Sequence, residues 1–452
     1  MADMRRYAIQ GIQDSEADRL AYMIENMPAN KAYQYAVERA GGDPEGRLLE
    51  EYRERFRWYR NGWRGIPRQA IENKLHHETF RETGFPPLSV DIETAAVCDL
   101  ACPFCFRQWI ATPDKVMGED LYYSIIDQAA EMGVPSVKLN WRGEPLLQPK
   151  LPEFIDYAKR AGILESIINT NAVTLDERKA VALVESGLDL LIYSFDGGTK
   201  ETYEKMRVGR FKENSFDAVY QNILRFAEIR KELGSPFPRT KIQMILTEDT
   251  RDEQEAFFGL FLECVDDVSV KAYTERGGKM LDIDEKTRDL LGDFLSKNGI
   301  GEEAAYWKDA NDSLFISNGR LPCEQPYQRL MITHDGRVSM CCYDWGMEYP
   351  IGYVSEEGYN DGDREYEIVM ERAKEGAKGF ELLSNVKMPT RYIDPPKQAS
   401  TLYDLWHGDV INDLRQKHLD GRMEDVPVCR RCPFKETYSW VKAELHDEPT
   451  VG

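Results

Sequence analysis
A partial or complete β/α barrel of the TIM-like kind, with an N-terminal helical region and a small C-terminal α+β domain, is the fold class the sequence predicts. Three observations predict it. Between Pro86 and about Gly278, short β-branched or apolar runs alternate with amphipathic helical stretches, the pattern of parallel strands joined by helices. Ahead of this series apolar and aromatic residues recur at helical spacing, and behind it an alternating run folds back at Asp335-Gly336.

Asp14 to about His77 reads as helices, through Leu20, Tyr22 and Met23 and again through Leu48, Leu49, Tyr52, Phe56, Tyr59 and Trp63, with Gly41, Gly42 and Pro44 breaking the run. So many large aromatics predict packing against the next domain, with cover over a site mouth as the other use. Strands are expected at Leu88 to Thr94, Ser136 to Trp141, Ser166 to Asn171, Leu190 to Asp196, Lys241 to Thr247 and Asp267 to Thr274. Helices fall between them at Glu119 to Met132, Leu151 to Ala161, Leu175 to Ser186 and Phe216 to Leu233. Such a barrel places its chemistry at the C-terminal ends of the strands. Arg329 to Met340 predicts a hairpin on a type I′ turn at Asp335-Gly336. Glu356 to Ser400 reads as an insertion or long loop, and Leu402 to Leu419 as one amphipathic helix. The boundaries that follow are a helical region over 1–85, the barrel core over 86–280, a helical connector over 281–320 and the C-terminal domain over 321–452, with its insertion near 356–400.

With 452 residues the chain has room for two or three domains. Lys plus Arg number 58 against 79 Asp plus Glu, a net charge of -21, which speaks against a generic phosphate-backbone binder, so no nucleic acid is expected as a partner. No apolar run approaches the roughly 18 residues of a membrane span, and the N-terminus lacks the apolar core of a signal peptide, so a cytoplasmic location and no membrane partner are expected. In such a reducing compartment nine cysteines read as metal ligands rather than disulfides.

Cys98, Cys102 and Cys105 fall in AAVCDLACPFCFRQ, directly after the first expected strand. Three thiolates hold three corners of a four-iron cluster and leave the fourth iron open to bind a substrate or cofactor. A zinc knuckle is the alternative, yet it wants a fourth ligand nearby, and none of the six histidines is close in sequence. Cys264, in FGLFLECVDD, reads as a buried structural thiol.

The CxxxCxxC spacing at the end of the first strand resembles the radical S-adenosylmethionine superfamily, and further landmarks of that family follow in order at the ends of later strands. The resemblance covers roughly Pro86 to Phe434. It implies a 4Fe-4S cluster on Cys98, Cys102 and Cys105 with S-adenosylmethionine at the open iron, reductive cleavage to a 5′-deoxyadenosyl radical, and hydrogen abstraction from an unactivated C–H. Phe104 matches the family's aromatic beside the adenine. Gly143-Glu144-Pro145 resembles the end of the GGEP segment that receives the amino group of S-adenosylmethionine, with Arg142 in place of the first glycine. Thr170-Asn171-Ala172 resembles TNG, and Ser194 with Asp196 resembles SxDG; both imply hydrogen bonds to the ribose hydroxyls or the methionine carboxylate. Arg207 stands where a family arginine pairs with that carboxylate.

Cys323, twelve residues, Gly336, four residues, Cys341, then the pair Cys429 and Cys432, is similar to the Twitch half of the SPASM extension. This implies one auxiliary 4Fe-4S cluster, although a four-cysteine zinc site uses the same ligand set. The reaction placed first is oxidation of a carbinol in a sugar or aminocyclitol, with the auxiliary cluster taking the electron. Modification of a short peptide, making a cross-link or an oxidised side chain, comes second. Redox-neutral epimerisation with Cys342 or Cys264 as hydrogen donor comes third. An iron-sulfur electron carrier is disfavoured because a carrier needs no open iron. Asp196, Glu275 and Arg276 are candidate proton acceptors or substrate clamps by position, and Gln243 and Tyr273 are candidates to face substrate. An external electron donor such as flavodoxin or ferredoxin is the implied partner.

Overall fold
The computed structural model describes residues 13–75, 81–82, 84–272, 296–297, 306–308, 313–360, 362–380, 386–430, 432, 434 and 437–443. Glu275, Arg276 and Tyr273 lie outside these residues, as does most of the expected connector. Six strands, β1 (Ser89–Ile92), β2 (Ser136–Lys138), β3 (Glu165–Thr170), β4 (Leu190–Ser194), β5 (Arg239–Leu246) and β6 (Asp267–Ala272), pair in parallel with their sequence neighbours. Helices Glu119–Glu131, Leu151–Arg160, Glu177–Glu185, Phe216–Glu232 and Gln254–Phe261 connect them. Val137, Ile168, Leu191, Tyr193, Ile242 and Met244 join the helices in one core. The alternate residues Lys138, Ile167, Asn169, Ile192, Ser194, Lys241, Gln243 and Ile245 are half-buried and so point to the inner face, as a period of two requires.

The ring is open. Strands β9 (Arg329–Ile332), β10 (Arg337–Ser339) and β11 (Pro350–Tyr353) extend the same sheet beyond β1, giving the order β11-β10-β9-β1-β2-β3-β4-β5-β6. β9 runs parallel to β1, from Ser89 opposite Arg329 to Ile92 opposite Ile332. The C-terminal hairpin is thus built into the barrel sheet. Its turn differs from the expected type I′. Gly336 has φ +87° but Asp335 is not in the left-handed region, and the Gly336 N–H donates to Thr333 O at 3.0 Å. This is a type I turn closed by a left-handed glycine, with one more loop residue than the two-residue form. A separate three-stranded sheet holds β7 (Tyr306–Lys308), β8 (Leu314–Arg320) and β12 (Tyr438–Lys442), so the described end of the expected helical connector is strand.

Two further expectations change. The stretch expected as an insertion contains helices Glu356–Asn360 and Gly362–Lys374, the latter burying Tyr366, Val369 and Ala373 at helical spacing despite its many charges. The expected single helix after Leu402 is two, Leu402–Trp406 and Asp409–Leu419. Asn412 Nδ2 donates to the carbonyls of His407 and Gly408 at the break, satisfying groups that a continuous helix would have used.

The N-terminal helices Gln13–Glu25, Lys31–Ala40 and Arg47–Glu72 close the bottom of the barrel, where the strands begin. Asn30 caps its helix and donates through Nδ2 to Leu164 O at 3.0 Å and Asp189 Oδ1 at 2.7 Å, ahead of β3 and β4. Arg19 and Tyr59 hold Glu165 at the start of β3, and Tyr22 donates to Pro236 O before β5. Tyr52, Phe56, Tyr59 and Ile66 form a core of their own with Met23, Met27 and Phe237. Packing is therefore the role of these aromatics, and the opposite end is left for chemistry.

Candidate cluster and cofactor site
The loop carrying Cys98, Cys102 and Cys105 leaves the C-terminal end of β1 and is pinned on both sides. Ala96 N–H donates to Lys115 O on the loop's own return, Ala101 N–H to Val208 O, and Arg210 N–H to Asp99 O. Arg210 then grips Asp114 with two hydrogen bonds of 2.6 and 2.9 Å. Burial pushes the Cys98 thiol up, opposed by the Arg107 charge, and pushes Cys102 up to about 12, opposed by Arg207. Two guanidinium groups thus stand by thiols that burial alone keeps protonated. A positively charged metal centre converts such thiols to thiolates, and the guanidiniums then balance their charge.

Arg207 organises the next layer. Its Nη1 lies 3.9 Å from Cys102 Sγ, its Nη2 is ion-paired with Asp196 Oδ2 at 2.5 Å, and its guanidinium carbon sits 5.5 Å from the centre of the Phe104 ring. Asp196 Oδ1 accepts from Ile245 N at 2.7 Å. Burial raises the Asp196 carboxyl while Arg207 lowers it, and the ion pair makes Asp196 first of all the partner that aims Arg207. Ser194, half-buried at the end of β4, faces the inner side with Gln243 opposite it on β5.

Glu144 is buried after β2. Its Oε1 accepts from Thr170 Oγ1 at 2.7 Å and Leu146 N at 3.0 Å, and its Oε2 from Asn171 N at 2.8 Å. Pro145 opens the short 3-10 turn that follows. A side chain at Gly143 would put its Cβ 2.1 Å from Ala95 O and 2.5 Å from Val97 O, so only glycine lets this segment lie against the cysteine loop. Asn171 Nδ2 donates to Asp99 Oδ1 at 2.7 Å, which brings a second carboxylate to the site. Burial, and then Asp99, push Glu144 up to about 7. Two neighbouring carboxyls short of cations fit an amino group as their missing counter-charge. Asp99 was not singled out by sequence; its position between Cys98 and the rest of the loop was the available signal.

Ala172 completes the Thr170-Asn171 turn at φ +58°, where glycine is the usual occupant. Ala172→Gly is expected to raise stability by about 1 kcal/mol, the left-handed strain relieved exceeding the added freedom of the unfolded chain. The urea midpoint checks this.

Arg142 does not approach the cofactor side. Its buried guanidinium forms two hydrogen bonds to Glu93, at 2.6 and 2.8 Å, and a third and fourth to Trp345 O and Tyr366 Oη, at 2.7 and 3.1 Å. Burial pushes Glu93 up, but Arg142 and His334 outweigh it and hold the carboxyl well below the usual range.

The second cysteine set converges beside the hairpin. Cys323, Cys341, Cys429 and Cys432 line one small apolar cavity with His418 and Phe434. Burial pushes the Cys323 and Cys341 thiols up, and after it Cys432 acts on Cys323 and Cys342 on Cys341 in the same direction. Gln325 N–H donates to Cys323 Sγ at 3.4 Å, and Arg320 and Tyr438 donate to the carbonyls of Cys429 and Cys432 at 2.9 and 2.6 Å. Among the described residues no three His, Cys, Asp or Glu side chains are grouped around a single ion. In a cubane each thiolate takes a different iron, so its ligands need not converge on one point. The donor set fits such a cluster.

Cys341 and Cys342 lie in a turn beyond β10 rather than in the extended strand; Cys341 lines the thiol pocket, and Cys342 packs instead with Trp141, Met331 and Met347. Its thiol lies 3.5 Å from Gln325 Oε1, and its carbonyl accepts from Trp141 Nε1 at 3.1 Å. Cys264 sits just before β6, at the bottom of the barrel, which removes it from the cysteine loop at the top.

The fold and site define an α/β protein, an open β/α barrel with a cysteine loop after its first strand and a second thiol pocket beside the same sheet. The family model for the radical SAM superfamily matches residues 92–260, and that for an iron-sulfur cluster-binding domain, SPASM, matches 323–361. The chain thus carries a match to a radical SAM domain followed by a match to a SPASM iron-sulfur cluster-binding domain. Its cofactors are accordingly 4Fe-4S clusters and S-adenosylmethionine. It is 34% identical over 128 residues to PqqA peptide cyclase of Gluconobacter oxydans, covering 28% of this chain and 35% of that protein. It is 26% identical over 271 residues to a probable GTP 3′,8-cyclase of Methanopyrus kandleri, covering 56% and 80%. The chain spans 35, 40 and 38% of the length of three of the curated relatives it matches. Among solved structures it is similar to BtrN in complex with AdoMet and 2-DOIA, at TM-score 0.42 and 15% identity, covering 80% of this chain and 98% of that one. It is likewise similar to Streptococcus suis SuiB bound to precursor peptide SuiA, at TM-score 0.46 and 15% identity, covering 90% and 84%. No described helix is long and apolar enough to cross a membrane.

Proposed function
We propose that this chain oxidises a carbinol of a polyhydroxylated small molecule, a sugar or aminocyclitol, at an unactivated C–H. Cys98, Cys102 and Cys105 would hold a 4Fe-4S cluster with S-adenosylmethionine, which, given one electron from an external donor of the flavodoxin or ferredoxin class, would supply a 5′-deoxyadenosyl radical. Cys323, Cys341, Cys429 and Cys432 would hold an auxiliary cluster able to take up one electron; with the C–H hydrogen removed by the radical and the hydroxyl proton taken by a carboxylate, C–OH would become C=O. Phe104, Glu144, Thr170, Asn171, Ser194 and Arg207 hold the cofactor in this reading, and Asp196 is the candidate carboxylate within the described residues.

The observation that carries it is the chemistry of the inner face. Lys138, Asn169, Ser194 and Gln243 present an amine, amides and a hydroxyl on one side of the sheet, half-buried, as recognition of several hydroxyl groups requires, while Lys241 is held by Asp267 near the strand starts. Peptide modification is the second reading, supported by exposed Trp109, Phe211 and Met388 on segments flanking the cysteine loop.

Reconstituted protein is expected to hold about eight irons per chain. Given reductant, S-adenosylmethionine and a panel of aminocyclitols and sugars, it is expected to yield a product lighter by two hydrogens, by mass spectrometry. About four irons, or turnover of a peptide in place of the polyols, would overturn the first reading. Cys342→Ala is expected to keep this product; formation of an epimer by the parent that the variant cannot complete would point to hydrogen donation by Cys342.

A further inference from the structure
We infer that His418 is a positioning residue of the auxiliary cluster, donating an N–H to the Cys429 thiolate and so raising the cluster's affinity for an electron. This rests on the reading above, that Cys323, Cys341, Cys429 and Cys432 hold that cluster. His418 is 1% exposed, in the last turn of the helix Asp409–Leu419. Its Nδ1 accepts from the backbone N–H of Cys323 at 3.1 Å, and its Nε2 lies 3.5 Å from Cys429 Sγ.

The first contact fixes the second. An amide N–H can only donate, so Nδ1 carries the lone pair, and the proton of the neutral ring is on Nε2, facing sulfur. One side chain thereby bridges the first and third cysteines of the set, ninety-five residues from one and eleven from the other along the chain. A hydrogen bond to a cluster thiolate stabilises the more negative, reduced state over the oxidised one, and such bonds are among the factors that set cluster potentials. In the proposed oxidation this favours transfer of the substrate's electron to the auxiliary site.

The test uses the full chain with Cys98, Cys102 and Cys105 replaced by alanine, so that only the auxiliary cluster reports. His418→Asn retains a group near Nδ1 but none near Nε2; His418→Gln places an amide near Nε2. In a redox titration followed by electron paramagnetic resonance, His418→Asn is expected to lower the reduced-to-oxidised ratio at fixed potential about tenfold, about 59 mV for one electron. His418→Gln is expected to recover most of that change. An unchanged potential in His418→Asn, with the cluster loaded, overturns the inference and leaves the auxiliary assignment standing. If the parent with His418 binds no iron, the auxiliary assignment fails and this inference with it. Should His418→Asn load no cluster, the reduced parent labelled with 15N-histidine decides: a resolved imidazole nitrogen coupling supports the contact, and its absence overturns it.

Discussion

Replacing Cys98, Cys102 and Cys105 together with alanine is expected to reduce 5′-deoxyadenosine formation to the protein-free background while about four irons stay bound. The two clusters of the proposed reaction do different work, so the reverse experiment should give the opposite split. Alanine at Cys323, Cys341, Cys429 and Cys432 is expected to spare cleavage of S-adenosylmethionine and to remove the oxidised product, because the substrate radical loses its electron acceptor. The alanine triplet is benign to the fold: its loop is held by the backbone bonds of Ala96, Ala101 and Arg210 and by the Arg210–Asp114 pair, none of which uses a thiol. Persistence of 5′-deoxyadenosine in the triplet variant, measured by liquid chromatography, would remove the assignment.

Arg142→Met is expected to be the most damaging single substitution away from the cysteines, costing about 3–5 kcal/mol because it strands the Glu93 carboxylate in the interior. The loss should depend on pH in a defined direction. Glu93 is depressed in the parent, so its contribution is complete above the ordinary carboxylate range and is lost as pH falls through its lowered folded value. Without Arg142, only His334 opposes the burial that raises Glu93, so the variant sheds part of its penalty by taking up a proton. The gap between the two proteins in urea midpoint should therefore narrow as pH falls from 7 toward the ordinary carboxylate range. Arg142→Met combined with Glu93→Leu should recover most of the stability at neutral pH; no recovery would show that the pair is not the source of the loss.

The cysteine loop, Glu144 and the Thr170-Asn171 turn were legible because each follows a short apolar strand run and carries a motif that resembles the radical S-adenosylmethionine superfamily; Arg207, at the end of the helix Lys200–Met206, was legible from that resemblance alone. What escaped sequence reasoning was long-range. The parallel pairing of β9 with β1 joins residues about 240 apart, and no local pattern encodes it. Arg142 read as a flawed glycine position, whereas its partners Glu93, Trp345 and Tyr366 come from three distant segments. The helix Gly362–Lys374 was hidden because its charged face outweighs a narrow apolar stripe in composition. His418 belongs to the thiol pocket only through a fold that brings residue 418 beside residue 323.

That parallel pairing bears on how the chain can be divided. Cys323 and Cys341 flank a hairpin whose first strand covers β1, so the SPASM segment is not an appendage that recombination or a protease can detach cleanly. A chain ending near Arg320 would leave β1, the strand that launches the Cys98 loop, with an open row of backbone donors and acceptors and without Leu330 and Ile332 in the shared core. An uncovered strand edge of that kind pairs with other copies. Exchange of C-terminal segments between relatives would then succeed only at joints before β1 or beyond Cys432, carrying both sets of cysteines as one heritable unit.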